Sequence, residues 1–338
     1  MKRRCVIEEC IGETRAAVYE GRRLVELYVR RWSDADKPRH GDIFAGRVAK
    51  IDPSMGGAFI DLGCPEQGVF KFTNSPNAPK LTEGQIAEFE VSKATEIGKG
   101  AVVKFKQLSA AVKPQKLSGD DLKTFIAKRF NAIDFTEASV SVIDEATETV
   151  LAIQGGGTIS IERTRALVAI DVDKGAAVSG FDVCMAALPM IASELRLRGL
   201  GGLVVVDLPN LRQPRQRNTV FKAAERAFAD DPNVVKLAPL SRFGALELTR
   251  SKPALSLDET LNNRIGSPTT ETLALRALRQ LEREGRANAG AKLDLTVRHH
   301  VMNWLEAEHI DWKRPLTERL GARFDIKAGG KPGITADR

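Results

Sequence analysis

Two segments decide the fold of this chain: LVAIDVD at residues 167–173 and GGLVVVDLP at residues 201–209. Each is a short run of β-branched and aliphatic residues, which is typical of a strand buried inside a sheet, and each contains an aspartate near its end. The segment between them, CMAALPMIASELRLR, predicts a helix. Because strands and helices alternate here, we predict an α/β unit over residues 155–260. Asp171 and Asp207 would then lie at the carboxyl ends of their strands, where open α/β sheets bind ligands.

Carboxylates that converge at such an edge suit Mg²⁺, which takes one or two carboxylates together with water and phosphate oxygens. Asp173 lies two residues after Asp171 and points to the same face of the strand, so we predict it as a third oxygen ligand. The alternative is that these aspartates form turns or cap helices, which is common for an aspartate at a strand end. Two strand ends of this kind beside a basic stretch leave both interpretations open.

Charge is concentrated in two stretches of the 338 residues. The chain has 51 Lys and Arg against 44 Asp and Glu, a net charge of +7. Residues 93–116 contain six lysines and one acid, and residues 196–226 contain seven basic residues and two acids. These stretches predict contact with nucleic-acid phosphates, and a solvated surface face is the alternative. With 43% hydrophobic and 28% charged residues, the composition excludes a wholly disordered or fibrous chain.

The sequence gives no sign of a membrane segment or a disulfide framework. No apolar run approaches the roughly 18 residues of a membrane-spanning helix. The first residues, MKRRCVIEEC, are basic but are not followed by a signal-peptide pattern, so we expect a cytoplasmic location and no membrane partner. The four cysteines are scattered without a C-x-x-C pair, and we predict buried or idle thiols rather than disulfides or a zinc site.

The rest of the chain divides by pattern. Residues 41–112 contain five short alternating strands, which predict a small closed barrel such as an OB-fold. Residues 1–40 also have the pattern of strands, and residues 113–154 combine one helix with short strands. Residues 268–328 predict a small α/β unit, and the glycine-containing end at 329–338 predicts a disordered tail.

Several long strings resemble the ribonuclease E/G family. In the catalytic half they are ERTRALVAIDVD, SELRLRGLGGLVVVDLPNL and LSRFGALELTR, in that order. In the front half, DIFAGRVAKIDPSMGGAFIDLG and GKGAVVKF are similar to the OB-type RNA-binding barrel of that family. The resemblance is strongest over residues 41–105 and 158–256 and implies a multidomain α+β and α/β fold. In that fold, an RNase H-like platform formed by residues 1–40 with 113–154 is interrupted by the barrel, and a DNase I-like α/β catalytic subdomain and a small C-terminal domain follow.

The resemblance also implies an activity: metal-dependent endonucleolytic cleavage of single-stranded RNA, in RNA processing or decay. Asp171 and Asp207 align with the family's catalytic metal ligands. Asp173 stands where the family usually has an asparagine that orients the metal site, so it adds a charge there. Mg²⁺ is the expected cofactor, and Mn²⁺ is expected to substitute for it. The alternative is an RNA-binding protein that keeps the fold and is catalytically impaired.

The resemblance assigns RNA-binding roles to residues of the barrel. Phe59 matches an aromatic that stacks on RNA, and Lys99 matches a lysine that contacts phosphate. A second aromatic of the family falls at Val69, with Phe70 and Phe72 close by, so its replacement stays open; Phe70 is the one taken as a predicted RNA-binding residue. From alternation alone, Phe59 also fits a place in the barrel core. Arginines near the catalytic strands are predicted to hold backbone phosphates, with a structural role as the alternative: Arg212, Arg215, Arg217 and Arg242.

Two departures from the family pattern have consequences. Only about 45 residues separate the barrel from GGGTISIERT, too few for the family's domain that senses a 5′ monophosphate. We therefore expect cleavage that is independent of the RNA 5′ end. The zinc-linking cysteine pair is also absent after ALSLDET. No zinc is expected, and any homo-oligomer is expected to form through other surfaces.

Overall fold

The structure is a computed structural model that describes residues 2–76, 78–95, 99–176, 179–211 and 213–337. Its strands are β1 (Arg3–Cys10), β2 (Glu13–Glu20), β3 (Arg23–Arg31), β4 (Ile43–Asp52), β5 (Gly57–Asp61), β6 (Gly68–Lys71), β7 (Ile86–Lys93), β8 (Val102–Leu108), β9 (Gln115–Ser118), β10 (Ile133–Glu137), β11 (Val150–Ala152), β12 (Thr158–Arg163), β13 (Val168–Asp173), β14 (Gly202–Asp207), β15 (Val235–Leu237), β16 (Leu246–Arg250), β17 (Lys292–Val297), β18 (Phe324–Ala328) and β19 (Gly333–Asp337). Its helices are α1 (Leu122–Phe130), α2 (Gly180–Leu197), α3 (Pro214–Phe228), α4 (Leu257–Leu261), α5 (Thr270–Ala287), α6 (His299–Glu306) and α7 (Lys313–Leu320).

The first sheet combines the start of the chain with a strand from beyond the barrel. Its order is β10-β1-β2-β3, with β10 parallel to β1 and the other neighbours antiparallel. Helix α1 begins after Asp121, whose carboxylate accepts a hydrogen bond from the Thr124 amide, and it packs Ile126 and Phe130 against the sheet. One of the short strands expected within residues 113–154, the segment SVSVID at 139–144, is instead a 3-10 turn at Ser141–Asp144.

The barrel is closed by five strands. Their order is β5-β6-β8-β7-β4, and β4 pairs back with β5 to complete the ring. Alternate side chains fill its interior, with Phe44, Phe70 and Phe89 fully buried. Strand β9 adds to the edge of β4, so the barrel sheet extends beyond the predicted end at residue 112.

The third unit is a six-stranded mixed sheet in the order β11-β12-β13-β14-β16-β15. Helix α2 connects β13 to the parallel strand β14, as a strand–helix–strand crossover requires. Helices α2 and α3 bury the apolar residues of one face of the sheet. The side chains of the opposite face are exposed or half-buried. This sheet begins at Val150, before the predicted boundary at residue 155.

The last unit packs α5, α6 and α7 around the sheet β18-β17-β19. The predicted disordered tail at 329–338 is wrong for the part that forms β19, which pairs antiparallel with β17. The reason is the free edge of β17: its backbone groups need partners, and Ile334 of β19 packs against the apolar cluster of this unit.

Buried ion pairs join the first sheet to the helix that follows β13. Glu26 of β3 accepts hydrogen bonds from Arg129 at 2.8 Å and from Arg196 of α2 at 3.2 Å. One backbone hydrogen bond, from the Ala94 amide to the Pro253 carbonyl at 2.9 Å, connects the barrel to the segment after β16. The barrel and the six-stranded sheet are therefore in direct contact.

The coarse fold prediction is confirmed: mixed sheets, a closed five-stranded barrel and helices form a multidomain α+β protein. The assignment of individual units as RNase H-like or DNase I-like stays a prediction. Among the residues that the structure describes, no helix is both long and apolar enough to cross a membrane.

Candidate active site

The two aspartates at the strand ends are direct neighbours. Strands β13 and β14 are parallel, and Asp171 and Asp207 are register partners. Adjacent strands lie about 4.8 Å apart, so the two carboxylates stand side by side. The preceding residues, Ile170 and Val206, point into the core, and alternation directs both carboxylates to the open face of the sheet. Within the described part of the chain, neither carboxylate has a hydrogen-bond or ion-pair partner.

A shallow groove of about 310 Å³ contains this pair. It lies on the open face and crosses β12, β13 and β14, and Ser160 of β12 is the register partner of Asp171. Its lining combines apolar and carboxylate side chains: Ser160, Glu162, Leu167, Ala169, Ile170, Asp171, Val205 and Asp207. A groove this open admits a polymer that passes across the sheet.

Asp173 does not join the pair. Its register partner on one side is Thr158 of β12. On the other side it has no partner on β14, because that strand ends at Asp207, which pairs with Asp171. Its carboxylate accepts a hydrogen bond from the Gly175 amide at 2.9 Å, which shapes the turn after β13. This geometry gives no support to Asp173 as a third metal ligand, and that role stays a prediction. Among the described residues there is no cluster of three or more His, Cys, Asp or Glu side chains that could hold a metal.

The donor set of the pair fits Mg²⁺ bound through few protein ligands. Asp171 and Asp207 offer hard carboxylate oxygens, both are exposed to water, and both lie in an open groove. Mg²⁺ keeps several waters and accepts one or two carboxylates together with phosphate oxygens. Helices α2 and α3 follow β13 and β14 in the chain and pack on the face of the sheet opposite the groove.

The predicted arginines have different surroundings. Arg215 is exposed in the first turn of α3, whereas Arg217 donates hydrogen bonds to the carbonyls of Leu240 and Ser241. Arg217 therefore holds the turn before β16, and the prediction that it grips phosphate is replaced by this structural role. Arg212 lies outside the described residues. Arg242 is exposed in the turn that Arg217 supports.

Phe59 lies on the outer surface of the barrel rather than in its core. It is half-buried, and its register partner on β6 is Val69, which pairs in turn with Val102 of β8. These three side chains form an outward apolar row across three strands. Lysines occupy the same row on the flanking strands, because Lys50 is the partner of Phe59 and Lys93 is the partner of Val102. The core interpretation of Phe59 is thus wrong.

Phe70 points the other way. It is fully buried, with its ring centroid 5.7 Å from those of Phe72 and Phe89. The prediction that Phe70 stacks on RNA is wrong, because Val69 occupies the outward position of β6 and its neighbour must face inward. Of the two aromatics near Val69, Phe72 is the exposed one, with 41% of its surface exposed. Lys99 is exposed, as its predicted role requires.

The cysteines play no part in this site. Burial raises the pKa of the Cys5 and Cys184 thiols to about 11. The pKa of the Cys10 thiol is raised to about 12, and burial is the largest cause. A thiol with so high a pKa is a poor nucleophile at neutral pH. The four cysteines are free, as the sequence predicts.

Comparison with known proteins supports the same interpretation. Residues 101–253 match the model of the Ribonuclease E/G family. The chain is 35% identical over 123 residues to a chloroplastic Ribonuclease E/G-like protein of Arabidopsis thaliana, covering 32% of this chain and 12% of that protein. It is 33% identical over 158 residues to Ribonuclease E of Escherichia coli, covering 43% of this chain and 15% of that protein.

Ribonuclease G of Escherichia coli is 27% identical over 155 residues, which cover 42% of this chain and 32% of that protein. The matched region thus spans less than a third of the length of each of these relatives. The family-model match at residues 101–253 runs from the barrel strand β8 through both aspartate strands to just past the end of β16. Residues 101–253, which contain both aspartate strands, are thus similar to the ribonuclease E/G family.

Proposed function

We propose that this protein is a metal-dependent endoribonuclease that cleaves single-stranded RNA. The observation that carries the proposal is the in-register pair Asp171 and Asp207 at the carboxyl edge of two parallel strands. Both carboxylates face an open groove, and neither is used by the fold in the described part of the chain. Paired carboxylates left free at a ligand-binding edge are an arrangement for chemistry rather than for stability.

The barrel supports RNA as the substrate. Its outward row of Phe59, Val69 and Val102 gives bases an apolar surface, and the flanking Lys50 and Lys93 bring positive charge to the ends of that row. Stacking on an aromatic tolerates any base, which suits an unpaired strand. The contact between Ala94 and Pro253 keeps this surface joined to the catalytic sheet.

Asp171 and Asp207 would hold Mg²⁺, or Mn²⁺ in its place. When bound, the ion supplies a water that is nucleophilic at neutral pH and neutralises charge on the phosphodiester. The residues of this chain do the rest: the carboxylates fix the position of the site, and the open groove accepts the sugar-phosphate backbone.

Cleavage is proposed to be independent of the RNA 5′ end. Between β9 and β11 the described residues form only α1, β10 and a 3-10 turn, all packed on or beside the first sheet. No separate unit that could sense a 5′ monophosphate is present among them. RNAs with a 5′ monophosphate, triphosphate or hydroxyl should therefore be cut at similar rates.

The test is cleavage of a 5′-labelled single-stranded RNA with and without Mg²⁺. The wild type is compared with Asp171→Asn, Asp207→Asn and the matched control Asp230→Asn, an exposed aspartate at the far end of α3. The expected result is Mg²⁺-dependent cutting that both site variants lose and the control keeps. RNA retention measured on the same samples should be unchanged.

Two results would overturn the proposal. Cutting that survives in the double variant Asp171→Asn/Asp207→Asn would place the chemistry elsewhere. No cutting by the wild type, with RNA still retained, would identify an RNA-binding protein without catalysis.

A further inference from the structure

A tight turn between β15 and β16 presents an unusual pair of side chains. Phe243 at its tip is 82% exposed. The guanidinium carbon of Arg242 lies 4.8 Å from the centroid of the Phe243 ring, over the ring and in cation–π contact with it. Burying a phenylalanine stabilises a fold, and leaving one in water forfeits that gain.

The turn that carries this pair is firmly held. The Gly244 amide donates to the Ser241 carbonyl, and the Ser241 amide donates to the Ala245 carbonyl, both at 2.9 Å. Arg217 of α3 holds the same turn through the carbonyls of Leu240 and Ser241. Gly244 has φ +99°, a conformation that residues with a Cβ rarely adopt. The exposed ring therefore sits on a fixed support.

The turn lies at the edge of the sheet that holds the aspartate pair. Strand β16 runs antiparallel to β14, with Leu246 opposite Val206. The turn before Leu246 therefore extends past the carboxyl end of β14, and a Cβ on Gly244 would lie 4.0 Å from the Leu208 carbonyl oxygen. Because Leu208 directly follows Asp207, the backbone at Phe243 is roughly 10 Å from that of Asp207.

We propose that Arg242 and Phe243 form a stacking platform for one nucleobase of single-stranded RNA, close to the phosphodiester that is cut. This inference rests on the proposed function and adds a second base contact to that of the barrel. Arg242 covers one face of the ring, so the base stacks on the other face. The guanidinium keeps its donors for a neighbouring phosphate. Recognition of this kind accepts all four bases, because each has an aromatic face.

The platform also has a role in the reaction. A base held on a fixed turn prevents the adjoining phosphate from sliding along the groove, and it therefore positions that phosphate against Asp171 and Asp207. Phe243 is accordingly a positioning residue. Its removal should raise KM and lower kcat together, whereas loss of a barrel contact distant from the site should raise KM alone.

Binding is tested first, in the Asp207→Asn background and without metal, so that cleavage does not enter the measurement. The probe is a fluorescein-labelled single-stranded 12-nucleotide RNA, with a second set carrying 2-aminopurine at successive positions. Phe243→Ala is compared with Phe243→Trp and with the matched control Ile265→Ala, an apolar residue that is 86% exposed. Phe243→Ala should weaken affinity by about 5- to 100-fold, the range for loss of one stacked base.

Phe243→Trp should keep the affinity for the RNA. The protein with Phe243 should quench 2-aminopurine at one position of the RNA, and Phe243→Ala should abolish that quenching. If Phe243→Ala binds the RNA and quenches 2-aminopurine as Ile265→Ala does, the platform is overturned. It is also overturned if none of the variants binds the RNA. The proposed function is tested separately by cleavage in the Asp207 wild-type background. Normal cutting by Phe243→Ala with unchanged KM and kcat refutes only the platform. If 2-aminopurine is quenched in a way that depends on Phe243 but the wild type cuts no RNA, only the proposed nuclease function is refuted.

Discussion

Replacing Glu13 with glutamine should destabilise the contact between the first sheet and the C-terminal unit. Glu13 lies on β2 with 2% of its side chain exposed, and it faces three buried arginines. Arg15 and Arg31 lie 3.6 and 3.8 Å away, and Arg279 of α5 donates to it directly. Two more exposed carboxylates share these arginines: Asp144, 28% exposed, pairs with Arg15 and Arg279 at 2.9 Å each, and Glu271, 22% exposed, pairs with Arg31 at 3.0 Å. Glu13 is thus the fully buried counter-charge of this cluster.

Removing one partner of a buried ion pair costs about 3–5 kcal/mol, because the remaining charge stays buried without compensation. Glutamine keeps the shape of Glu13 and one acceptor oxygen, so the cost is mainly electrostatic. With a urea m value of about 3 kcal/mol/M, this predicts a fall of about 1 M or more in the midpoint of unfolding.

Tryptophan fluorescence is the appropriate readout. The three tryptophans of the chain are Trp32 at the end of β3, Trp304 in α6 and Trp312 before α7, so all of them report on this region. The matched control is Glu318→Gln, since Glu318 pairs with Arg314 at 3.1 Å while 64% of its side chain is exposed. The control should change the midpoint little, because exposed pairs contribute about 0–1 kcal/mol. Equal midpoints for the two variants would refute the reasoning.

The other predictions concern the barrel, the thiols and pH. Phe70→Ala should destabilise the protein by about 3–5 kcal/mol through a core cavity, whereas Phe59→Ala should leave stability nearly unchanged and weaken RNA binding; urea unfolding and fluorescence anisotropy distinguish the two. A thiol reagent at pH 8 should label Cys64 first, since it alone is half-exposed, and should reach all four cysteines only in denaturant. Burial opposes ionisation of Asp144, but the hydrogen bond from Arg15 and the nearby arginine charges outweigh it and lower its pKa. Its stabilising effect is therefore complete above the unfolded pKa of about 3.9 and is lost as pH falls further, so the midpoint difference between wild type and Asp144→Asn should shrink below about pH 4.

Some features of the fold and site follow from local pattern. The helix at Leu122–Phe130 was predictable from its apolar spacing and its Asp121 cap, and α5 from its long apolar periodicity. The neighbouring positions of Asp171 and Asp207 were also predictable, because two aliphatic strands joined by a helix must run parallel and end at one edge. Local patterns succeed when the periodicity of one segment fixes its structure.

Other features depended on partners distant in sequence. Asp173 has the same strand-end pattern as Asp171, but β14 ends at Asp207, opposite Asp171. Asp173 therefore has no partner on β14, and its carboxylate shapes the turn after β13. The pairing of Phe59 with Val69 decides that Phe70 faces inward, and a shift of one residue would have exchanged them. The composition of the C-terminal end predicted disorder, and only the free edge of β17 explains why it forms a strand.

The sequence by itself therefore determined the strands and helices of the α/β unit and the barrel, the family resemblance and the two aspartates, since these depend on neighbours along the chain. Only the tertiary structure decided which carboxylates meet, which aromatic of the barrel faces outward, and that Arg242 and Phe243 stand together in the turn before β16. The physical reason is that register and burial arise from pairing between segments far apart in the chain, and alternation within one strand does not specify which of its two faces becomes the core.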